Sequence, residues 1–170
     1  RKNNIKKIIY SSSREIYGGM SIDNRSRKFI ESKVEIKDIE SSYAATKMGA
    51  EALLYAYKKC YNIDFIILRF SNVYGALNDI QTRVIPQFIK NCKEDKDLII
   101  YDKNKEFDFT YISDTISGLL LSIENFDGVK NNIFNIASGK STSLYAIARL
   151  IKKYAHTRRN KSRIVFKNSR

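Results

Sequence analysis

The sequence contains few of several residue types, and each shortage narrows what the chain can be. Its 170 residues include 1 proline, 7 glycines, 2 cysteines and no tryptophan. Cys60 and Cys92 are too few for a disulfide framework or a zinc site with four cysteine ligands. No apolar run approaches the ~20 residues of a membrane helix, and the opening segment is unlike a secretory signal peptide. We therefore expect a cytoplasmic protein without a membrane partner or a bound metal.

The composition that is present belongs to a folded protein. Hydrophobic residues make up 43% of the chain and aromatic residues 12%, which excludes wholesale disorder. Most of the net charge of +13 comes from the C-terminal quarter, because residues 128–170 hold 11 basic side chains and no acidic ones. Such a run most often forms a solvated face. A phosphate-binding surface is the second interpretation, and a nucleic-acid partner is expected least, since no nucleic-acid-binding motif accompanies the run.

Hydrophobic periodicity predicts alternating strands and helices. Strands are predicted over residues 5–13, 63–70, 98–101, 107–112, 133–137 and 164–166, with a further short strand at 28–31 as an option. Helices are predicted over 43–61, 84–92 and 115–123, and a last one opens at Ser141 or Thr142 and buries Leu144, Ile147, Ala148, Ile151 and Tyr154. Because the strand at 63–70 is apolar on both faces, we expect an α/β fold with a covered parallel sheet.

The helix at 43–61 carries the first chemical signal. Tyr43 and Lys47 are four residues apart, so both side chains project from nearly the same face. A lysine ammonium near a phenol favours the phenolate, and each unit of pKa lowered below about 10 is worth ~1.4 kcal/mol. A tyrosine tuned in this way can take a proton from a sugar hydroxyl at neutral pH.

The same helix is expected to begin at one of two N-capping serines, Ser41 or Ser42. Its predicted buried stripe consists of small and apolar residues: Ala45, Met48, Gly49, Ala52, Leu53, Ala56 and Cys60.

The Tyr/Lys spacing alone does not specify a function, because it recurs at Tyr55/Lys59 and Tyr101/Lys105. Its surroundings distinguish the first pair. Upstream, the strand in IIYSSSREIYG ends in three serines, and downstream, the strand in ILRFSNVYG ends in a polar turn. The carboxyl ends of parallel strands meet at the edge of a sheet where ligands bind. We therefore expect hydroxyl groups, the Tyr/Lys pair and this turn to converge there.

Four blocks in this order, SSSREIYG, SYAATK, LRFSNVYG and FDFTYISD, resemble the extended short-chain dehydrogenase/reductases, in particular the NAD-dependent sugar epimerase/dehydratase family. The resemblance runs from about Ile5 to Phe166. It implies the C-terminal part of a Rossmann-type doubly wound parallel sheet and a small α/β substrate-binding domain. The implied division assigns residues 1–75 to the NAD(P)-binding domain and 76–170 mostly to the substrate domain, truncated at its C-terminus, with some elements returning to the Rossmann sheet.

The resemblance also implies roles for individual residues. Ser13 would hydrogen-bond the sugar hydroxyl, Tyr43 would be the catalytic base, and Lys47 would bind the nicotinamide ribose. Glu15 would be a second acid or base, with an ion pair to Arg14 as the competing interpretation. The remaining implied ligands are Ser11, Ser12, Phe70, Ser71 and Val73 for the cofactor and Asn72, Ile85 and Phe88 for the substrate. Packing and turn roles are expected instead for Tyr17, Gly18, Tyr74 and Gly75.

Three departures from the family pattern qualify these expectations. Arg14 stands where dehydratases of the family have an acid, which disfavours 4,6-dehydration. Phe107 stands where the family usually has an arginine that grips the substrate diphosphate, a contact worth ~2–3 kcal/mol. The glycine-rich pyrophosphate turn is absent from residues 1–170. We therefore expect an internal piece of a longer protein, with roughly 100 residues of βαβ units before Arg1.

The expected activity belongs to the complete protein. It is an NAD(P)-dependent nucleotide-sugar epimerase, foremost a 4-epimerase, using NAD rather than NADP and a UDP-, GDP- or dTDP-linked sugar. A homodimer is expected through the Tyr/Lys helix, with Leu54 and Tyr57 at the interface. The piece alone is expected to be inactive. The alternatives are a related decarboxylase or reductase and a non-catalytic relative that binds a nucleotide sugar or NAD.

Overall fold

The computed structural model describes residues 4–18, 29–75, 79–155 and 161–168. Within these residues the chain forms eight strands and five helices. The strands are β1 (Lys7–Ser13), β2 (Asp64–Phe70), β3 (Asn72–Tyr74), β4 (Leu98–Ile100), β5 (Glu106–Tyr111), β6 (Asn132–Ile136), β7 (Ser141–Ser143) and β8 (Ile164–Phe166). The helices are α1 (Ser42–Tyr61), α2 (Val84–Lys93), α3 (Ile112–Glu124), α4 (Phe126–Val129) and α5 (Leu144–Tyr154). The α/β class predicted from the sequence is confirmed.

The chain divides into two compact units. The first comprises Arg1–Val73 and Ser113–Ala137, and the second comprises Tyr74–Ile112 and Ser138–Arg170. The first division falls within three residues of the predicted boundary at 75/76. The segment 113–137 returns to the first unit.

The first unit is built on a parallel sheet in the order β1-β2-β6. The central strand β2 is buried from Phe65 to Arg69, because its two faces serve different clusters. Phe65 and Ile67 pack with Leu54 of α1, whereas Ile66 and Leu68 pack with Phe126 of α4. The apolar run at the centre of β2 therefore sits in the middle of a sheet covered on both sides, as its sequence predicts.

Helix α1 begins where the sequence predicts, but it buries a different face. Ser41 is the N-cap, and its side chain accepts a hydrogen bond from the Ala44 amide at 3.1 Å. The predicted stripe is wrong: Met48 is half-buried, and the other members, Ala45, Gly49, Ala52, Leu53, Ala56 and Cys60, are exposed. The buried residues are Ala44, Glu51 and Leu54. The helix turns a different face inward because the buried Glu51 pairs with the cationic Arg69 of β2.

The second unit combines two small sheets with two helices. Its sheets have the orders β3-β5-β7, with Tyr74 the part of β3 in this unit, and β4-β8. Helices α2 and α5 share an apolar cluster in which Phe88, Cys92, Leu98, Ile100 and Ala148 are buried. Leu144, Ile147 and Ile151 of α5 pack against this cluster as predicted.

Two predictions at α5 are corrected. The helix does not open at Ser141 or Thr142, because residues Ser141–Ser143 pair with β5 as an antiparallel strand. Ser143 is the N-cap instead and accepts a hydrogen bond from the Ala146 amide. Tyr154, predicted to be buried, is 62% exposed at the end of the helix.

Short elements account for the remaining differences. Neither β3 nor α4, of three and four residues, was predicted. Of the optional strand at 28–31, Lys28 lies outside the described residues, and the other three positions show a single bridge at Phe29. A 3-10 turn, Arg14–Tyr17, follows β1 directly. Among the described residues, no helix is both long and apolar enough to span a membrane.

Candidate active site

The three consecutive serines lie at the carboxyl end of β1, where each has a different environment. Ser11 is exposed, whereas Ser12 and Ser13 are 3% and 9% exposed. The Ser13 hydroxyl accepts a hydrogen bond from the Glu15 amide at 3.1 Å and thereby caps the 3-10 turn. This contact fixes the Ser13 oxygen by its acceptor side, which leaves its proton available for donation.

Lys47 connects α1 to this end of β1. Its ammonium nitrogen donates a hydrogen bond to the Ser11 carbonyl at 2.7 Å. The same nitrogen lies 5.6 Å from the centre of the Tyr43 ring and 5.1 Å from the centre of the Tyr10 ring. Lys47 is therefore held at the strand end by the backbone and placed within cation–π range of two phenols.

Tyr43 occupies the first turn of α1, one turn before Lys47. Because a helix that follows a strand runs back along it, the first turn of α1 lies towards the carboxyl end of β1. Tyr43 is 51% exposed, so the residue is accessible to a ligand. An exposed phenol, a fixed ammonium and a serine hydroxyl at one strand end are the groups that proton removal from an alcohol requires.

A buried ion pair lies next to these residues, and sequence reasoning missed it. Glu51, one turn after Lys47, accepts two hydrogen bonds from Arg69 of β2, from Nε at 3.1 Å and from Nη2 at 2.7 Å. Both side chains are almost fully buried, at 3% and 4% exposure. The signal was present, since a lone arginine inside the apolar run DFIILRF needs a buried anionic partner.

Tyr17 completes this cluster from the turn after β1. Its hydroxyl donates to the Asn135 side chain at 2.7 Å and accepts from Arg69 at 2.9 Å, and its ring stacks on Phe29. Burial raises the pKa of Tyr17 above its ordinary value, although the hydrogen bond from Arg69 acts in the opposite direction. Tyr17 therefore stays a neutral packing residue, which confirms its predicted role.

The predicted second acid or base, Glu15, is exposed and paired. Its carboxylate lies 3.3 Å from the guanidinium of Arg14, in the ion pair that competed with the catalytic interpretation. Both residues belong to the 3-10 turn.

The turn from β2 into β3 includes four predicted cofactor and substrate ligands: Phe70 ends β2, Ser71 links the strands, and Asn72 and Val73 begin β3. Phe70 packs in the apolar cluster with Ile66 and Leu68, and the Ser71 amide donates to the Ile136 carbonyl at 3.0 Å. Asn72 and Val73 are half-buried. The backbone of this turn is thus fixed against β6, while the ligand roles of its side chains stay predictions.

The second unit contains a cavity of about 900 Å³. Ile85 and Pro86 of α2 line it, together with Tyr74 and Phe109. Phe88, predicted as a substrate ligand with Ile85, points instead into the core and is 2% exposed. Of the two predicted substrate ligands on α2, Ile85 therefore lines the cavity and Phe88 does not.

Phe107 stands in place of the arginine of the family's Arg-Asp pair, whereas Asp108 keeps the aspartate. The Phe107 ring packs against Phe109 at 5.9 Å and has the Lys105 ammonium 5.5 Å above it. The Asp108 carboxylate accepts hydrogen bonds from the amides of Ser138, Gly139 and Lys140, so it holds the turn before β7. Asp108 is thus a structural residue of the second unit.

The first unit defines a class of protein: a Rossmann-type α/β fold with a serine-rich strand end and a Tyr/Lys helix beside it. The chain belongs to the NAD dependent epimerase/dehydratase family, whose model matches residues 1–137. The resemblance of the four sequence blocks to this family is thereby confirmed.

Three similar proteins illustrate the range of the family. The chain is 32% identical over 138 residues to a UDP-glucuronate 4-epimerase of Thermodesulfobacterium geofontis, covering 81% of this chain and 40% of that protein. It is 30% identical over 159 residues to a UDP-N-acetyl-alpha-D-glucosaminuronate decarboxylase of Bacillus cytotoxicus, covering 89% and 47%. A crystal structure of UDP-glucuronic acid 4-epimerase from Bacillus cereus, in complex with UDP-glucuronic acid and NAD, superposes with a TM-score of 0.82 at 29% identity, covering 96% and 49%.

This chain therefore spans less than half of the length of each of these proteins. Other members of the family act on nucleotide sugars by more than one reaction, since a 4-epimerase and a decarboxylase are both among them. Family membership alone consequently does not select the reaction.

Proposed function

We propose that the complete protein is an NAD-dependent nucleotide-sugar epimerase, foremost a 4-epimerase, and that this chain supplies its proton-transfer residues. The observation that carries the proposal is the hydrogen bond from Lys47 to the Ser11 carbonyl, because it holds an ammonium beside the Tyr43 ring at the end of a serine-rich strand. The 4-epimerases among the relatives support this choice of reaction.

The proposed chemistry assigns one step to each side chain. The Ser13 hydroxyl donates a hydrogen bond to the sugar oxygen and orients it. Tyr43, as the phenolate, takes the proton of the sugar hydroxyl while the neighbouring Lys47 ammonium stabilises the negative charge. Tyr43 gives the proton back to the sugar oxygen when the hydride returns to the sugar carbon. In these steps the side chains need only hold, remove and restore one proton.

We propose that the first unit holds the nicotinamide end of NAD. Lys47 and the turn after β2 would hold this end, since the turn is fixed against β6 at the strand edge where dinucleotides bind. When bound, NAD would accept the hydride from the sugar carbon and give it back. Residues 1–170 contain no glycine-rich turn for the pyrophosphate. We therefore propose that the complete protein carries that turn on a strand–turn–helix before Arg1.

A product analysis tests the reaction. The complete protein is incubated with NAD and a panel of UDP-, GDP- and dTDP-linked sugars, and the sugar isomers are separated. Tyr43→Phe should lower turnover by about 1000-fold or more, because it removes the base. Tyr55→Phe is the matched control, because Tyr55 and Lys59 repeat the same spacing on α1. This variant should leave turnover unchanged. Unchanged turnover of Tyr43→Phe would contradict the assignment.

Two observations favour a second candidate, a relative that binds a nucleotide sugar without converting it. Arg14 stands in place of an acid, and Phe107 in place of a cation that grips the diphosphate. Binding of a nucleotide sugar without isomer formation, decarboxylation or reduction would select this candidate. Release of carbon dioxide from a sugar acid would select the decarboxylase.

A further inference from the structure

A buried polar cluster adjoins the Tyr43–Lys47 face of α1. Glu51 is the third residue on this face, because Tyr43, Lys47 and Glu51 follow one another at intervals of four. Its Oε1 accepts hydrogen bonds from the Ser12 hydroxyl at 2.5 Å and from Arg69 Nε at 3.1 Å, and its Oε2 accepts one from Arg69 Nη2 at 2.7 Å. The carboxylate thus joins α1 to β1 and to β2.

Arg69 is itself fixed by contacts outside α1. Its Nη1 donates to the Tyr17 hydroxyl at 2.9 Å and to the Glu31 carbonyl at 2.8 Å. The Tyr17 hydroxyl donates in turn to Asn135 of β6 at 2.7 Å. Glu51 is therefore attached to a buried arrangement that includes the turn after β1 and the third strand of the sheet.

Two neighbouring residues of β1 hold α1 in place, because each of them contacts a side chain from a different turn of the helix. Lys47 bonds to the Ser11 carbonyl, and Glu51 bonds to the Ser12 hydroxyl. The first contact uses a long side chain with several rotatable bonds, whereas the Glu51 carboxylate of the second contact is also held by Arg69 in a buried bidentate ion pair of defined geometry. The rotation of α1 about its axis, and with it the direction of Tyr43, therefore depends mainly on Glu51 and its two partners.

We propose that Glu51 is a positioning residue, which acts through Ser12 and Arg69 to set the Tyr43–Lys47 pair against the serine end of β1. The inference rests on the proposed function and adds a residue that touches neither substrate nor cofactor. A buried ion pair commonly gives little net stability compared with an apolar pair of the same volume, but it does impose one geometry. Imposing one geometry is what a proton-transfer pair requires.

Glu51→Gln is the mildest variant that tests this role. The amide oxygen can keep the contacts with Ser12 and Arg69 Nε, but the amide nitrogen then faces Arg69 Nη2, donor against donor. A displacement of about 1 Å at the reacting groups can cost about 100-fold in rate. We therefore expect the complete protein to lose about 10- to 100-fold in kcat, with the KM values for nucleotide sugar and NAD changed less than about threefold.

Asp64→Asn is the matched control at the other end of α1. Asp64 accepts a hydrogen bond from Lys58 of the helix at 2.5 Å, so this variant also weakens a contact between α1 and β2. It should lower the unfolding midpoint while kcat stays within about twofold. Both kcat values are expressed per mole of folded protein. If Glu51→Gln then has a kcat as high as that of Asp64→Asn, the positioning role is overturned.

The double variant Glu51→Gln/Tyr43→Phe separates positioning from general stabilisation. Once the base is missing there is nothing left to position, so the added change should lower the residual kcat by less than about twofold. If Glu51→Gln lowers kcat in the Tyr43→Phe protein by as large a factor as it does in the wild type, the proposal is overturned.

A structural measurement decides the same point without turnover. In a crystal structure of the complete Glu51→Gln protein, the Lys47 Nζ to Ser11 oxygen distance should exceed about 3.5 Å, beyond hydrogen-bonding range. Retention of the 2.7 Å contact would overturn the inference. If the wild-type protein converts no sugar, the proposed function fails, and this distance still decides the role of Glu51.

Discussion

Replacing Arg69 by methionine should destabilise the protein strongly, because Arg69 makes four hydrogen bonds from a buried position. Two go to the Glu51 carboxylate, one to the Tyr17 hydroxyl and one to the Glu31 carbonyl. Arg69→Met keeps the approximate length of the side chain but leaves the Glu51 charge buried without its cation. Breaking a buried ion pair from one side costs about 3–5 kcal/mol. We expect a loss of that size in the free energy of unfolding.

Urea unfolding of the complete protein, followed by far-ultraviolet circular dichroism, measures this loss. Arg163→Met is the control, since Arg163 pairs with Asp97 but its side chain is 79% exposed, and such pairs contribute at most about 1 kcal/mol. The double variant Glu51→Leu/Arg69→Met should recover much of the stability, because no buried charge then lacks a partner. A loss for Arg69→Met no larger than for Arg163→Met would refute the reasoning.

Two further predictions concern pH and backbone conformation. The hydrogen bond from Lys58 holds the pKa of Asp64 well below its usual range, so the stability that Asp64 contributes is present above about pH 4 and is lost as the pH falls below that value. Asp64→Asn should therefore flatten the acid side of a plot of urea midpoint against pH, and an unchanged acid slope would contradict this. Gly75→Ala should lower the urea midpoint, because Gly75 has a φ of +107° and a Cβ there would lie 2.1 Å from a ring carbon of Tyr111. Gly49→Ala, in open space on α1, should raise the free energy of unfolding by up to about 1 kcal/mol and the urea midpoint with it, and equal effects of the two alanines would contradict the strain argument.

The sequence predicted best those elements whose local and tertiary preferences agree. The middle of β2, Phe65–Leu68, is apolar and lies between two covered faces, so the apolar run alone identified the strand. Ser41 caps α1 because a serine side chain accepts a hydrogen bond from the free amides of a first helical turn, whichever face of the helix is buried. The four sequence blocks located the family, and the family model matches the part of the chain that holds all four of them.

The buried face of α1 shows where sequence pattern failed. Small and apolar residues formed a regular stripe, yet the helix buries Glu51 and leaves Leu53 56% exposed. Hydrophobicity scales count a glutamate as a surface residue, and they do not include a partner in another strand. The arginine in β2 was the missing information, because a buried cation and a buried carboxylate are each costly without the other.

The roles of individual residues on α2 and α1 were harder to predict for a similar reason. Phe88 and Ile85 are three residues apart on α2, and the sequence placed both at a ligand. The structure directs Phe88 into the apolar cluster of the second unit, while Ile85 lines the cavity. Leu54, expected at a dimer interface, is likewise a core residue at 7% exposure, whereas Tyr57 is 43% exposed. Which face of a helix meets the core depends on its neighbours in space.

The central claim is that Tyr43 removes the proton of a sugar hydroxyl while the hydride passes to a dinucleotide. The most direct measurement is a single-turnover experiment on the complete protein, loaded with NAD and mixed with its nucleotide sugar, that follows the absorbance of the reduced nicotinamide. The wild type and Tyr55→Phe should reduce the nicotinamide at the same rate, and Tyr43→Phe should do so about 1000-fold more slowly or not at all. Reduction by Tyr43→Phe at the wild-type rate would contradict the account.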